Sequence, residues 1–141
     1  MMATRFAAAL IALALVVVSC AQPAADAPAG SQVVAEIADY KITVNVPSVK
    51  AGTIKIGVRN LGTMEHSFEV LKTDLAHDKL PVDGPSAKAK EDGKVGEIKS
   101  IGAGKSASVT IDLTPGAYVY ICNIAGHYQL GMHTGFTVDA P

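Results

Sequence analysis

The sequence predicts an all-β domain, a Greek-key β-sandwich of about eight strands over residues 33–141. Two observations lead to this prediction. From Val33 onward, apolar and polar residues alternate with period two, as in half-buried strands, and Gly and Pro interrupt the alternation repeatedly. In addition, no segment of helical periodicity in this range extends beyond two turns.

The strands follow one another along the chain at short intervals. Clear alternation predicts strands at 42–46, 54–59, 66–70 and 107–113, and apolar segments at 33–38, 95–101, 116–122 and 134–139 bring the total to about eight. Residues 72–93 are polar, of mixed charge and without the strand rhythm. We predict a long excursion there, with a short helix near 85–91, that is either a functional lid or a solvated insertion.

Length and composition exclude several classes of protein. The 141 residues suffice for one domain. Twelve basic residues against thirteen acidic ones give a formal net charge of −1, which argues against a nucleic-acid binder. Two cysteines cannot form a disulfide-rich scaffold or a four-cysteine zinc site.

The N-terminus has the pattern of a targeting segment. Arg5 precedes an uninterrupted apolar run from Phe6 to Val18, which is shorter than the roughly 20 residues of a membrane-spanning helix. The run ends Val-Val-Ser-Cys20, which resembles the lipobox of bacterial lipoproteins and implies a lipid on Cys20. Cleavage after Ala21 is the alternative. We therefore predict a signal peptide at 1–19, an Ala/Pro-rich tether at 20–32 and a periplasmic or cell-surface domain at 33–141.

The last third of the chain contains a cluster of metal-binding residue types. Cys122, His127 and Met132 follow the spacing C-x4-H-x4-M between two predicted strands, and His66 opens an earlier strand. Cys122 would also be the one free thiol of an exported domain, in a compartment where thiols usually pair. Two imidazoles and a thiolate with a weak axial thioether form the blue-copper electron-transfer arrangement. The soft sulfur ligands suit Cu(I) and the imidazoles suit Cu(II), so such a set changes little between the two states.

The segments NLGTMEHSF (60–68) and YICNIAGHYQLGM (120–132) resemble the two ligand segments of plastocyanin/azurin-type cupredoxins, and the long loop is most similar to the sulfocyanin and rusticyanin type. The resemblance implies one copper ion with His66, Cys122 and His127 as equatorial ligands and Met132 as the axial ligand. It also places Ser67, where the family often has Asn, next to the first histidine, as a tie between the two ligand segments. We include Asn123 in this supporting role.

Other residues near the cluster are assigned no ligand role. We expect His133 to point away from the metal, His77 to be solvated in the excursion and Met64 to pack in a loop. The far edge of His127 should reach the surface within an apolar rim that includes Ile124 and Leu130, which predicts the place where electrons enter. We expect a monomer that docks transiently with redox partner proteins and meets the membrane only through its N-terminal lipid.

Other functions remain as alternatives. A Cys-His nucleophile would need a polar residue to orient the histidine, and a binuclear copper site would need a second cysteine where the chain has Gly126. A metal-free adhesive sandwich would leave the thiol of Cys122 unexplained. The sequence predicts an electron-transfer protein rather than an enzyme, and the serious alternative is a periplasmic copper carrier that delivers the metal to another protein.

Overall fold

The computed structural model describes residues 25–141, which form two packed β-sheets and a small hairpin. The strands are β1 (Val33–Ala38), β2 (Lys41–Val44), β3 (Ser48–Lys50), β4 (Gly52–Asn60), β5 (His66–Lys72), β6 (Val82–Asp83), β7 (Lys88–Ala89), β8 (Lys94–Ile101), β9 (Ser106–Leu113), β10 (Gly116–Ile121) and β11 (His133–Asp139). One sheet has the order β2-β1-β4-β9 and the other β3-β11-β10-β5-β8. The predicted all-β sandwich is therefore confirmed.

All eight predicted strands are present, and three short ones were not predicted. These are β3, which extends the second sheet next to β11, and the hairpin formed by β6 and β7. The predicted helix near 85–91 is wrong, because that segment turns and pairs instead. The Asp83 carboxylate accepts a hydrogen bond from the Ser86 amide at 3.0 Å, and Ala87 has a φ of 52°. Asp-Gly-Pro turn chemistry thus prevails over helix propensity.

The main core lies between the two sheets and is built from the inward residues of every long strand. Aromatic rings form its centre: the Tyr120 ring lies 5.1 Å from Phe68 and 5.0 Å from Phe136. Cys122 and Met132 belong to the same buried cluster, at one end of the sandwich. The core therefore reaches the predicted ligands without a break.

A second, smaller core covers the outer face of β10. Val119 and Ile121, on that face, pack in a cluster with Leu71, Leu80, Ala89 and Tyr128. Leu80 and Ala89 come from the excursion between β5 and β8, so this segment is a cover over the sheet. Strand β10 is consequently buried on both faces.

The N-terminal predictions fall largely outside the described residues. The predicted signal peptide at 1–19 and Cys20 lie outside them. Residues 25–32 contain no strand, yet they lie against the domain: the Gln32 amide donates to the Lys55 carbonyl at 2.9 Å, and the Ala29 carbonyl accepts from Lys55 Nζ at 2.8 Å. Within residues 25–141, no helix is long and apolar enough to cross a membrane.

Candidate metal centre

The strand pairing brings the two ligand segments to one end of the second sheet. Strand β10 pairs antiparallel with β5, with Ile121 opposite Glu69, so Cys122 emerges beside the start of β5, where His66 lies. Strand β10 also pairs with β11, with Ile121 opposite His133. The ligand loop, residues 122–132, therefore begins and ends on neighbouring strands.

Backbone hydrogen bonds close this loop. The Cys122 amide donates to the Met132 carbonyl at 3.0 Å, and the Met132 amide donates to the His127 carbonyl at 3.1 Å. These two bonds fix the three residues relative to one another before any metal binds.

Three donor atoms converge at this end of the sandwich. The Nδ1 atoms of His66 and His127 are 3.3 Å apart, and the Cys122 Sγ lies 3.8 Å from the first and 3.5 Å from the second. Imidazole nitrogen and thiolate sulfur bind a divalent transition metal at about 2.0–2.3 Å, so a trigonal set should show donor separations of about 3.5–3.8 Å. The two sulfur–nitrogen distances fall within this range, and the nitrogen–nitrogen distance lies about 0.2 Å below it, so the triangle fits one copper ion after a slight separation of the two rings. It is the one cluster of at least three His, Cys, Asp or Glu donors within residues 25–141.

The burial of the cluster is asymmetric. His66, Cys122 and Met132 are fully buried, whereas His127 is half-buried. Burial, and secondly the neighbouring His66, lowers the pKa of His127, which favours the neutral imidazole that metal binding requires. His127 is therefore the cluster's contact with the surface.

Ser67 contacts both ligand segments. Its amide and its hydroxyl point at the Cys122 Sγ, at 3.4 and 3.6 Å, and the same hydroxyl accepts a hydrogen bond from the Asn123 amide at 2.9 Å. Hydrogen bonding around a copper-bound thiolate is one of the factors that set its redox potential. The shorter serine side chain therefore does reach across to the ligand loop.

Asn123 ties the ligand loop to the excursion. Its Oδ1 accepts from the Ala89 amide at 2.8 Å, and its Nδ2 donates to the Ala89 carbonyl at 3.1 Å and to Glu91 Oε1 at 3.0 Å. The hairpin of β6 and β7 is thus fastened to the residue that follows Cys122.

Sequence reasoning missed Asp39. In the turn between β1 and β2, its Oδ1 lies 3.2 Å from His66 Nε2, on the side of the ring away from the cluster. A carboxylate can only accept, so Nε2 carries the proton and the lone pair of Nδ1 faces the other donors. A hydrogen bond from the Thr63 hydroxyl is the main cause that lowers the pKa of Asp39 and keeps it ionised. The one signal in the sequence is a polar residue in a predicted turn.

Tyr40, also missed, lies beside Asp39 and has a φ of 65°, an uncommon conformation for an aromatic residue. Its ring meets the His127 ring edge-on, with centroids 5.9 Å apart. Leu130 is 58% exposed and Tyr40 43% exposed, while Ile124 is half-buried and packs against the main core. Two exposed apolar side chains therefore belong to the neighbourhood of His127: Tyr40, which contacts its ring, and Leu130, which lies three residues further along the same loop.

The remaining candidates lie outside the cluster. Met64 is half-buried, and its carbonyl accepts a hydrogen bond from Asn60 Nδ2 at 2.8 Å. His133 is paired with Ile121, which packs in the smaller core, so it lies on the outer face of the sheet, opposite to the copper donors. His77 is exposed, but it contacts His133 rather than solvent alone.

A polar cavity of about 330 Å³ lies behind Ser67 and Asn123. Glu69, 6% exposed, lines it, and its Oε2 has no hydrogen-bond partner. Burial raises the pKa of Glu69 to about 7; Glu91 and Glu97 add to this effect, and Lys94 opposes it. Glu69 follows Ser67 by two residues on the same face of β5, and Ser67 contacts the Cys122 sulfur. The polar cavity therefore contains a carboxyl with a raised pKa close to the copper donors.

Comparison with known proteins agrees with this architecture. The family model of the cupredoxin-like domain matches residues 7–134. Auracyanin from Roseiflexus castenholzii superimposes with a TM-score of 0.54 at 22% identity, over 78% of this chain and 99% of that one. Rusticyanin from Thiobacillus ferrooxidans superimposes with a TM-score of 0.55 at 22% identity, over 76% of this chain and 75% of that one. Auracyanin A from Chloroflexus aurantiacus, described as a blue copper protein, superimposes with a TM-score of 0.53 at 21% identity, over 75% of this chain and 98% of that one. At these identities the likeness shows the fold. No curated protein sequence matches the chain.

Proposed function

Because the chain belongs to the cupredoxin-like domain family, we propose that it is an exported electron carrier. In this proposal, one copper ion cycles between Cu(I) and Cu(II), with His66, Cys122 and His127 as equatorial ligands and Met132 as the axial ligand. The observation that supports it most is the triangle of two imidazole nitrogens and one thiol sulfur at 3.3–3.8 Å. Copper in such a set supplies a one-electron couple.

The surroundings of the triangle favour electron transfer over catalysis. His66 and Cys122 are fully buried, and each has a polar neighbour that orients it. Asp39 contacts Nε2 of the His66 ring, and the Ser67 amide contacts the sulfur of Cys122. A donor set fixed by these contacts has little freedom to rearrange when its charge changes, which keeps electron transfer fast. A substrate, in contrast, would need an open coordination position with access from solvent.

Electrons enter, in this proposal, through the exposed edge of His127. Ile124, Leu130 and Tyr40 form an apolar rim around it, and a small apolar surface suits the weak, transient contacts of redox partners. We propose that the protein works as a monomer that binds its partners at this surface.

The N-terminal sequence supports export and attachment to a membrane. We propose that the signal at 1–19 is removed, that Cys20 carries the lipid, and that residues 20–32 connect it to the domain at 33–141. Two acyl chains on one cysteine give stable anchoring, whereas one chain is marginal.

Membrane fractionation tests the anchor. Wild-type protein should sediment with membranes, and Cys20→Ala should either accumulate as precursor or appear in the soluble exported fraction. Copper binding should be equal in both, because Cys20 precedes the domain. Wild-type protein found wholly in the soluble exported fraction would refute the lipid attachment.

Voltammetry of the copper-loaded protein tests the function itself. A reversible midpoint potential with fast electron self-exchange is the expected result. Rapid loss of the metal to a chelator or a copper-accepting protein, without reversible electrochemistry, would instead favour the copper carrier.

A further inference from the structure

A second pair of histidines faces each other outside the copper cluster. His77, in the excursion, and His133, at the start of β11, have their Nδ1 atoms 2.7 Å apart and their ring centroids 4.9 Å apart. His77 is exposed and His133 is half-buried. The chain has four histidines in all, and the electron-transfer function uses neither of these two.

The backbone on both sides of the pair is fixed. The Tyr128 hydroxyl accepts a hydrogen bond from the Leu80 amide and donates one to the His77 carbonyl, both at 2.9 Å. The Tyr128 ring also lies 5.0 Å from the His133 ring. Tyr128 thus anchors the backbone of the excursion beside β11, where the two imidazoles meet.

We propose that His77 and His133 form a surface binding site for a divalent transition-metal ion, with Cu(II) as the preferred ion and water completing the coordination. Imidazole suits copper, nickel and zinc, and among these Cu(II) binds nitrogen ligands most tightly. Two nitrogens on one metal at 2.0–2.1 Å lie about 2.9–3.4 Å apart. The pair needs to open by only a few tenths of an ångström, which the exposed side chain of His77 permits.

This site is separate from the cluster of His66, Cys122 and His127. Cys122 and Met132 face the main core, whereas Ile121, directly opposite His133, packs with Tyr128 in the smaller core. The two sites thus lie on opposite sides of the ends of β10 and β11 and share no ligand. Their occupancies can be read independently.

Electron paramagnetic resonance tests the proposal. The full chain, with Cu(II) already in the blue site, is titrated with a second equivalent of Cu(II). The second ion should give an axial spectrum with wide copper hyperfine splitting and additional splitting from two nitrogens, while the blue absorption stays constant. Removing a group that orients a ligand already costs about 10–100-fold in metal affinity, so His77→Ala and His133→Ala should each weaken the second site at least tenfold.

Asp74→Ala, also exposed in the excursion, is the control and should leave the second affinity unchanged. His77→Ala removes an exposed side chain, and its blue absorption reports that the fold and first site are intact. Absence of a second Cu(II) in the wild type would overturn the proposal. So would a second Cu(II) with unchanged affinity and spectrum in His77→Ala. The contact would then be an N–H···N hydrogen bond that fastens the excursion to β11.

Discussion

His66, a proposed copper ligand, shows how neighbouring groups can orient a single side chain for a metal. Its ring is fully buried between Asp39, at Nε2, and the other two donors, at Nδ1. Carboxylate–histidine pairs of this kind fix the tautomer and the orientation of a ligating imidazole. Asp39 in turn accepts hydrogen bonds from the amide and hydroxyl of Thr63, so the turn between β1 and β2 holds the ligand indirectly.

Asp39→Ala should therefore weaken copper binding by about 10–100-fold, because the His66 ring loses the group that selects its tautomer. The blue colour should persist, since all proposed ligands remain. Competition with a copper chelator measures the change in affinity. Thr63→Val removes one hydrogen bond to Asp39 but leaves its carboxylate in place, so it should have a smaller effect. Equal affinities of Asp39→Ala and wild type would show that Asp39 does not support the ligand.

The ligand loop illustrates the same principle at the scale of an element. Residues 122–132 connect two paired strands, and backbone bonds between Cys122, His127 and Met132 close the loop. Asn123 then fastens it to the excursion. The loop can consequently expose Leu130 and the edge of His127 while the sulfur of Cys122 stays buried.

Leu130→Lys should slow electron exchange with partner proteins about tenfold or more, equivalent to about 1.4 kcal/mol in activation free energy. The reason is that a hydrated charge would stand in the apolar rim that we propose as the docking surface for partners. Stopped-flow measurement of the exchange rate checks this, and the copper spectrum should not change. Val95→Lys is a matched control, because Val95 is also exposed, at 42%. It lies at the start of β8, whereas His66 pairs with Ile101 at the other end of that strand. A charge change at Lys90, whose amide bonds to the Pro81 carbonyl rather than to the ligand loop, should likewise do little. If these variants were slow and Leu130→Lys normal, electrons would enter elsewhere.

How far the sequence predicts each element depends on whether its determinants are local. Strands such as β9 were predictable because the alternation of apolar and polar residues reports one buried face. The triad of His66, Cys122 and His127 was predictable because the ligand types and loop spacing are visible in the chain. Asp39 was not, since its contact with His66 spans 27 residues and depends on the turn geometry. The hairpin of β6 and β7 was missed because two-residue strands have no detectable period.

At the scale of the whole molecule, the sandwich buries the carboxyl group of Glu69, whose Oε2 has no hydrogen-bond partner. Glu69 extends from β5 into the polar cavity, faced by Lys94 and Glu97 on β8 and by Glu91 just before that strand. Its pKa of about 7 exceeds the ordinary value of 4.5. Between these values the folded chain holds a proton that the unfolded chain has lost, so this group's contribution to stability declines as the pH rises.

The free energy of unfolding should accordingly fall between about pH 5 and pH 8, and the part of this fall that Glu69 causes should be on the order of 1–2 kcal/mol. The amount is this small because the cavity is open to water, which screens the charge. In Glu69→Gln this component should be absent, because the amide does not titrate. Urea unfolding at several pH values measures both slopes. Identical slopes for the two proteins would contradict a raised pKa at Glu69.

The central claim, that His66, Cys122 and His127 hold copper through a thiolate bond, is tested most directly by the visible spectrum of the copper-loaded protein beside that of Cys122→Ser. The wild type should be intensely blue, lose the colour with ascorbate and regain it on oxidation, since the colour arises from charge transfer between the Cys122 thiolate and Cu(II). Cys122→Ser should fold and bind copper without that band. A copper-loaded wild type that lacks the band, or a Cys122→Ser variant that stays deep blue, would contradict the assignment.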